Sequence, residues 1–301
     1  LHHQGGGTET HVRALVAATR GRCRHAIAVA VGDRWRVEAH RPDAGTIAFE
    51  ISRLPDEPWS DFLGGLCATL GVGLVHVHNV SACRAGLLTA LPALGLPFGY
   101  TVHDVNAGCP TITFLGPDGM YCGARTDPAA CGACLAAQPA FADVDIVDWR
   151  ESHRPLVERA AFLIAPSRWA ADTLARYYPS ANATVVPHGI PEAAPRHAGT
   201  RLAVMLPDDS VPTVAVLGAV GPDKGARRIE RLVELAREHG ANVRFVLIGY
   251  LDRQHAAWQS DDARFTVHGR YDPRDLPDLL AHYRVSLVLY PSAGPETFSY
   301  T

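Results

Sequence analysis

No apolar run in this chain of 301 residues approaches the roughly 20 residues that a membrane-spanning helix needs. The start, Leu-His-His-Gln-Gly-Gly-Gly, lacks the basic and apolar regions of a secretory signal. A charge excess is missing as well. The formal net charge is -3 with 20% charged residues, so no general field holds nucleic acid or an anionic membrane. Any anion site must be local, and membrane contact is limited to the peripheral kind. Heptads, low-complexity tracts and repeats at solenoid periods are absent too. Seven cysteines form an odd set without an export signal, which favours reduced thiols or metal ligands over a disulfide framework. These features read as a cytoplasmic protein, and 47% hydrophobic content over this length suits two globular domains.

What is present begins with a strand, a glycine-rich loop and a helix. Val214, Val216 and Leu217 end at Gly218, and Ile229, Leu232, Val233 and Ala236 then recur at helical spacing. The loop between them holds Gly221, Lys224 and Gly225. Its amides and the helix start can approach a phosphate, with Lys224 adding positive charge. Taken alone, the same glycines also suit a plain tight turn with Lys224 a solvated charge. Near the far end, residues 287–290 read as a buried strand that stops at Pro291-Ser292-Ala293-Gly294-Pro295-Glu296-Thr297-Phe298, with a helix predicted to follow.

The first half alternates helix and strand. Gly6 and Gly7 open a helix on Val12, Leu15 and Val16, with Thr8 or Thr10 available as N-cap. Strands are predicted over 25–31, 46–51, 73–78 and 98–102, and helices over 61–70 and 84–94. His76 and His78 share a strand face, as a metal pair or as cleft and loop contacts. His103 and Asp104 stand at the carboxyl end of a strand, where open α/β sheets bind ligands; the alternative is that they cap the next loop. Residues 105–141 show no period but carry Cys109, Cys122, Cys131 and Cys134. The Cys131-x-x-Cys134 spacing lets two thiolates take adjacent corners of a zinc tetrahedron, so a structural zinc is one reading; free thiols or a disulfide formed on oxidation are the others. A helix over 145–160 kinked at Pro155, a strand over 161–165 and Ser167 as the next N-cap lead to a strand over 184–186 and the turn Pro187-His188-Gly189. Residues 190–212 read as a linker with a lead-in strand at 202–206. Strands over 243–248 and 265–267 and helices over 253–258 and 275–282 complete the pattern.

Gly218-Ala219-Val220-Gly221-Pro222-Asp223-Lys224-Gly225 and the Gly294-Pro295-Glu296 loop resemble the donor-binding loops of the retaining GT-B glycosyltransferases called family 4 or group 1. Ala219 stands where that family usually has arginine, and His188 where it usually has asparagine. The resemblance implies an α/β fold of two facing Rossmann-like domains. Residues 1–189 would form the acceptor-side domain, lacking its first strand and carrying the cysteine-containing insertion loop. Residues 213–301 would form a truncated nucleotide-sugar-binding domain, with 190–212 as the linker. By the same resemblance Gly6 and Gly7 lie against donor diphosphate and acceptor, and His103, with Asp104, touches the donor sugar. Glu296 accepts hydrogen bonds from sugar hydroxyls, and the backbone of Thr297 and Phe298 faces the phosphates. Gly218 and Lys224 hold the diphosphate, Gly249 and Tyr250 (with Gly269, Arg270 and Tyr271) the base and ribose, and Gly294 the donor sugar.

The implied reaction moves a sugar from a UDP- or GDP-sugar to a hydroxyl of a glycan, lipid-linked or small-molecule acceptor with retention. It needs no metal at the diphosphate, in keeping with the lack of an Asp-x-Asp motif beside these loops; Asp208-Asp209 and Asp261-Asp262 read as solvated charges. The family carries a second glutamate beyond the point where this chain ends, so the resemblance also implies a piece missing both ends of a larger catalytic unit. Two alternatives stay open: a nucleotide-sugar 2-epimerase and a non-catalytic nucleotide-sugar-binding module.

Overall fold

The computed structural model describes residues 6–31, 34–41, 45–81, 84–189 and 210–300. Residues 190–209 of the expected linker at 190–212, with the strand at 202–206, lie outside the described residues, as does Asp208-Asp209. The chain forms two compact bodies. The first takes in described residues up to 189, except Asp118–Tyr121, together with Glu296–Tyr300; the second takes in Asp118–Tyr121 and residues 210–295.

In the first body, α1 (Gly7–Thr19) starts from Gly6 in extended conformation, and no side chain caps it. Neither Thr8 nor Thr10 is the N-cap, because the helix begins ahead of both. β1 (His25–Val31), β2 (Arg34–Arg41) and β3 (Gly45–Ser52) then pair antiparallel. This corrects the reading of helix alternating with strand. Strands this close in sequence cannot pair parallel, which needs a crossover of about a dozen residues. The unforeseen middle strand turns Trp35, Val37 and Ala39 into the core and carries Arg36 and Glu38 between them, the period-2 signature of a half-buried strand.

After α2 (Trp59–Leu70), strands and helices do alternate: β4 (Val75–Val77), α3 (Arg84–Ala90), β5 (Phe98–Thr101), α4 (Pro128–Ala136), α5 (Ile146–Glu158), β6 (Phe162–Ala165), α6 (Arg168–Tyr177) and β7 (Thr184–Val185). The four strands pair in sequence order, all parallel. Their core joins Val77, Leu91, Phe98, Tyr100, Leu163 and Leu174, so all the carboxyl ends fall along one edge. Helix starts follow capping chemistry: Asp145 accepts from the amides of Val147 and Asp148, and Ser167 from that of Ala170. The stretch expected to be aperiodic contains α4, whose start is marked by Asp127 accepting from Ala130 N at 2.8 Å and by Pro128 in the first turn.

A buried network supports the edge of this sheet. His153 on α5 is fully buried; its Nδ1–H donates to Trp149 O at 2.7 Å and its Nε2 lies 3.1 Å from the Asn106 side-chain amide. Burial, opposed by the bond to Trp149 O and reinforced by the Arg84 charge, takes this imidazole down to about 4. Arg84 itself lies over the Trp149 ring at 4.0 Å. A folded-state value below the unfolded 6.5 means the unfolded chain binds the extra proton, so this contribution is present above pH 6.5 and is lost as pH falls toward 4. We expect unfolding free energy to drop by about 1.4 kcal/mol per pH unit from this group below pH 6.5, roughly 2 kcal/mol by pH 5. Denaturant unfolding at pH 7 and pH 5 of the native chain and His153→Gln checks it. The variant should lose that share of the pH dependence, and equal slopes would refute the assignment.

In the second body, β8 (Thr213–Val220), α7 (Ala226–Glu238), β9 (Arg244–Leu251), β10 (Trp258–Gln259), β11 (Phe265–Val267), α8 (Leu276–His282) and β12 (Val285–Val288) build a sheet of order β10-β11-β9-β8-β12. Its pairs are parallel apart from β10. α7 buries Ile229, Val233 and Ala236, with Ile229 and Val233 contributing about 1.5–3 kcal/mol each, while Leu232 stays 37% exposed.

Three expectations need correction here. The predicted helix over 253–258 is absent: Trp258 belongs to β10 and residues 252–253 form a turn. The run at 287–290 is not buried, since Leu287 is 59% exposed, because β12 is an edge strand and covers only one neighbour. Nor does a helix follow Glu296 within residues 297–300. Among the described residues no helix is long and apolar enough to cross a membrane.

Candidate functional site

The first body brings functional side chains to the carboxyl edge of its parallel sheet. His78 follows β4, His103 follows β5 and His188 follows β7, while His11 comes from α1. Their rings pack together: centroids are 4.0 Å apart for His11 and His188, 5.1 Å for His11 and His103, and 4.8 Å for His103 and His188. His78 Nδ1 lies 2.9 Å from His103 Nε2, and His188 Nε2 lies 3.2 Å from His103 Nδ1. This is the geometry of neutral imidazoles in a chain of N–H···N hydrogen bonds. His76, its ring tilted against that of His78 at 3.9 Å, exchanges a hydrogen bond with Thr101 Oγ1 at 2.8 Å.

Burial is the leading reason that these rings stay neutral. It takes His103 down to about 3, His76 to about 4 and His188 to about 4, with the neighbouring imidazoles adding to the effect. His11 and His78 are shifted in the same direction by the same cause.

Around this cluster sit other residues expected at the site. Asp104 accepts from Asn106 N at 2.9 Å through Oδ1, an Asx turn that fixes the loop after β5. Thr297 Oγ1 donates to His103 O at 2.5 Å, and Phe298 packs its ring 4.9 Å from His188. Gly6 and Gly7 are exposed at the start of α1, and a Cβ on Gly7 would meet the Tyr300 ring at 3.2 Å. Gly6, Gly7, His103, Asp104, Glu296, Thr297 and Phe298 therefore share one body. Sequence reading weighed His76 and His78 without deciding, and it did not join His11 or His188 to them. Apart from His76 and His78, the members stand on separate segments and leave no spacing to read.

The cysteines are arranged differently. Cys131 and Cys134 lie on α4, where Cys131 Sγ is 3.4 Å from Arg125 O and takes a hydrogen bond from Arg150 Nη2 at 3.3 Å. Cys109 Sγ sits 3.3 Å from Thr111 Oγ1, and burial pushes its thiol up. Cys109, Cys122, Cys131 and Cys134 form no disulfide. Among the described residues, the set of three ligand atoms close enough to share an ion is His11, His78 and His103; the four cysteines form no such set.

The second body carries the remaining expected residues on its two central strands, the loop after β8 and, for Gly294, the segment after β12. Gly218 and Gly249 are direct partners across β8 and β9. Both have positive φ, +97° and +137°, and they bring the backbones so close that a Cβ on Gly249 would lie 1.9 Å from Gly218 O. Gly249 and Tyr250 are thus inside β9, not after its end as expected; the strand runs on to Leu251. Gly269 N donates to Gly249 O at 2.8 Å, and the Arg270 guanidinium covers the Tyr250 ring at 4.5 Å, a flat cationic and aromatic pair.

Lys224 is exposed in the turn before α7, whose N-terminus has no side-chain cap. Gly225 closes that turn with φ +87°, and a Cβ there would lie 2.1 Å from Pro291 O. The two loops are bonded directly: Ala293 N donates to Asp223 O at 2.8 Å, and Arg228 Nη1 donates to Ser292 O at 2.7 Å. Arg228 was not foreseen; it is the guanidinium nearest in sequence to the Lys224 turn that reaches the 291–294 loop. Asp262 is exposed, and it also receives two bonds from Arg237 at 2.7 and 2.9 Å, which hold its carboxyl well below the usual range.

Comparison with known proteins adds three findings. Residues 5–193 match the sequence profile of Glycosyltransferase Family 4. The catalytic domain of starch synthase IV from Arabidopsis thaliana, bound to ADP and acarbose, superposes with TM-score 0.52 at 13% identity, covering 98% of this chain and 76% of that one; this is a likeness of fold. TarM aligns at TM-score 0.43 and 9% identity over 96% of this chain and 64% of its own, and a putative UDP-N-acetylglucosamine 2-epimerase from Listeria monocytogenes at 0.36 and 12% over 76% and 54%. No curated protein sequence matched the chain.

Proposed function

Because this chain belongs to glycosyltransferase family 4, we propose that it moves a sugar from a nucleotide-diphosphate donor to an acceptor hydroxyl with retention. Its mixed α/β architecture with parallel sheets is similar to that of GT-B glycosyltransferases. The observation that carries the proposal is the bonded pair of loops in the second body, residues 221–225 and 291–294, with an exposed lysine and an uncapped helix start on one and Ser292, Ala293 and Gly294 on the other.

Breaking a glycosidic bond to a nucleoside diphosphate leaves growing negative charge on the diphosphate. Preoriented amides and an ammonium aimed at that charge stabilise the transition state more than the ground state. In this reading Lys224 and the first amides of α7 hold the leaving group, Gly218 and Gly249 let it approach the backbone closely, and Tyr250 under Arg270 receives the base or ribose. Glu296 accepts from donor-sugar hydroxyls. His103, a neutral imidazole whose two ring nitrogens are bonded to His78 and His188, exchanges the longer of these bonds, that to His188, for one to a donor-sugar hydroxyl, and Asp104 holds the loop that presents it.

The starch synthase IV structure holds ADP, so nucleoside diphosphates are the first probes. Calorimetric titration with ADP, UDP and GDP should show one of them binding at a single site, and the matching nucleotide-sugar should be turned over only when acceptor is added. Failure of all three to bind would refute the reading. Sugar inversion at C2 without acceptor would replace it with epimerisation, and binding without turnover by the intact protein would replace it with a sensor.

A further inference from the structure

We propose that His11, His78 and His103, with His188 beside them, form a binding site for a divalent first-row transition metal, zinc foremost, that locks the start of α1 to the strand ends of the first body.

The ligand atoms of His11, His78 and His103 all lie within 4.8 Å of one another. A tetrahedral zinc with bonds of about 2.0–2.1 Å places its nitrogens roughly 3.4 Å apart, so the set closes by turning imidazoles about their side-chain bonds. His78 Nδ1 and His103 Nε2 are already at 2.9 Å. His188 is a second, independent pointer. It is 6% exposed, its ring is 4.0 Å from that of His11, and its Nδ1 is buried with no hydrogen-bond partner among the described residues. An unsatisfied buried nitrogen costs free energy, and reorientation of this ring onto an ion removes that cost.

The donor set selects the class of ion. Imidazole suits zinc, copper, nickel and cobalt, whereas calcium and magnesium take oxygen ligands. Three imidazoles on one ion leave a further position for His188 or for water, the composition of an open zinc site. Its effect on this chain follows from where the ligands stand. His11 sits on α1 just after Gly6 and Gly7, and its partners follow β4 and β5. An ion would therefore cross-link segments far apart in sequence and fix the glycine-rich opening of the helix. The site involves imidazoles and not the four cysteines, and it does not rest on the sugar-transfer reading.

The test uses the whole protein stripped with chelator and titrated with Zn2+ against a chromophoric chelator, and separately with Co2+ alone. We expect one ion per chain, a visible Co2+ d–d band of tetrahedral intensity without the near-ultraviolet band of thiolate ligation, and a melting temperature several degrees higher with Zn2+. His78→Ala should weaken binding by at least about 100-fold, beyond the 10–100-fold typical of losing a mere supporting contact. Should His78→Ala fail to fold, His11→Gln, on a half-buried helix position, should give the same loss and abolish the melting shift. Cys131→Ser should leave affinity unchanged. Absence of stoichiometric binding at micromolar metal overturns the proposal, as does binding that survives His11→Gln or disappears with Cys131→Ser.

Discussion

Lys224→Ala should lower kcat/KM for sugar transfer by about 10²–10³-fold, equivalent to about 2.7–4 kcal/mol of transition-state stabilisation, the loss seen when one preoriented donor to a developing oxyanion is removed. Stability should hardly change. The side chain is exposed, and the turn that carries it is kept by backbone bonds, Gly225 N to Pro222 O and Ala226 N to Gly221 O. That separation makes the result interpretable. A loss of activity with an unchanged unfolding transition locates the charge at the leaving group. Lys224→Arg keeps the charge on a bulkier fork and should recover part of the rate. Glu296→Gln should cost a comparable factor, because it swaps a charged acceptor of sugar hydroxyls for a neutral amide. Steady-state kinetics with the donor identified by titration decide the matter, and rates within about threefold of the parent for both changes would remove these residues from the site.

The second large effect is on folding. Gly249→Ala should cost more than about 4 kcal/mol, the range reserved for outright steric conflict or strain, or leave the protein insoluble. Two causes combine at this position. Its φ of +137° is a conformation that L residues avoid, and the new Cβ would lie 1.9 Å from Gly218 O and 2.6 Å from Gly218 C. Those atoms belong to the paired strand, so they cannot move without breaking the β8–β9 ladder. Gly240→Ala is the control: that glycine also has positive φ, +61°, but nothing stands within 4 Å of its Cβ position. It should lose only about 1 kcal/mol. Denaturant unfolding of the two variants separates strain from collision, and equal losses would mean that the close approach of the strands carries no weight.

How much of this could be read beforehand depended on whether the signal was local. α7 was legible because Ile229, Val233 and Ala236 repeat at helical spacing and all three are buried, and Ser167 and Asp145 lie where caps belong. β2 was missed although Trp35, Val37 and Ala39 alternate with Arg36 and Glu38; the polar residues masked a strand that lies in a meander. Leu287 and Val288 misled for the opposite reason, since an apolar run reports a buried strand only when both sides of it are covered, and an edge leaves one open. Gly249 and Tyr250 were picked out as site residues, but their place inside β9 depends on pairing with β8, which sequence spacing does not encode. The imidazole cluster was the least legible part. Its members come from positions 11, 76, 78, 103 and 188, and only the order of the parallel strands places their ends side by side.

Arg228 has a consequence for any attempt to re-engineer donor choice. Its guanidinium bonds the carbonyl of Ser292, and the amide of Ala293 bonds Asp223, so the lysine turn and the proline-rich segment after β12 behave as one cassette. A graft that imports either segment from a relative without its mate would shift the grip on the leaving group along with the sugar preference. Successful chimaeras should therefore exchange both together.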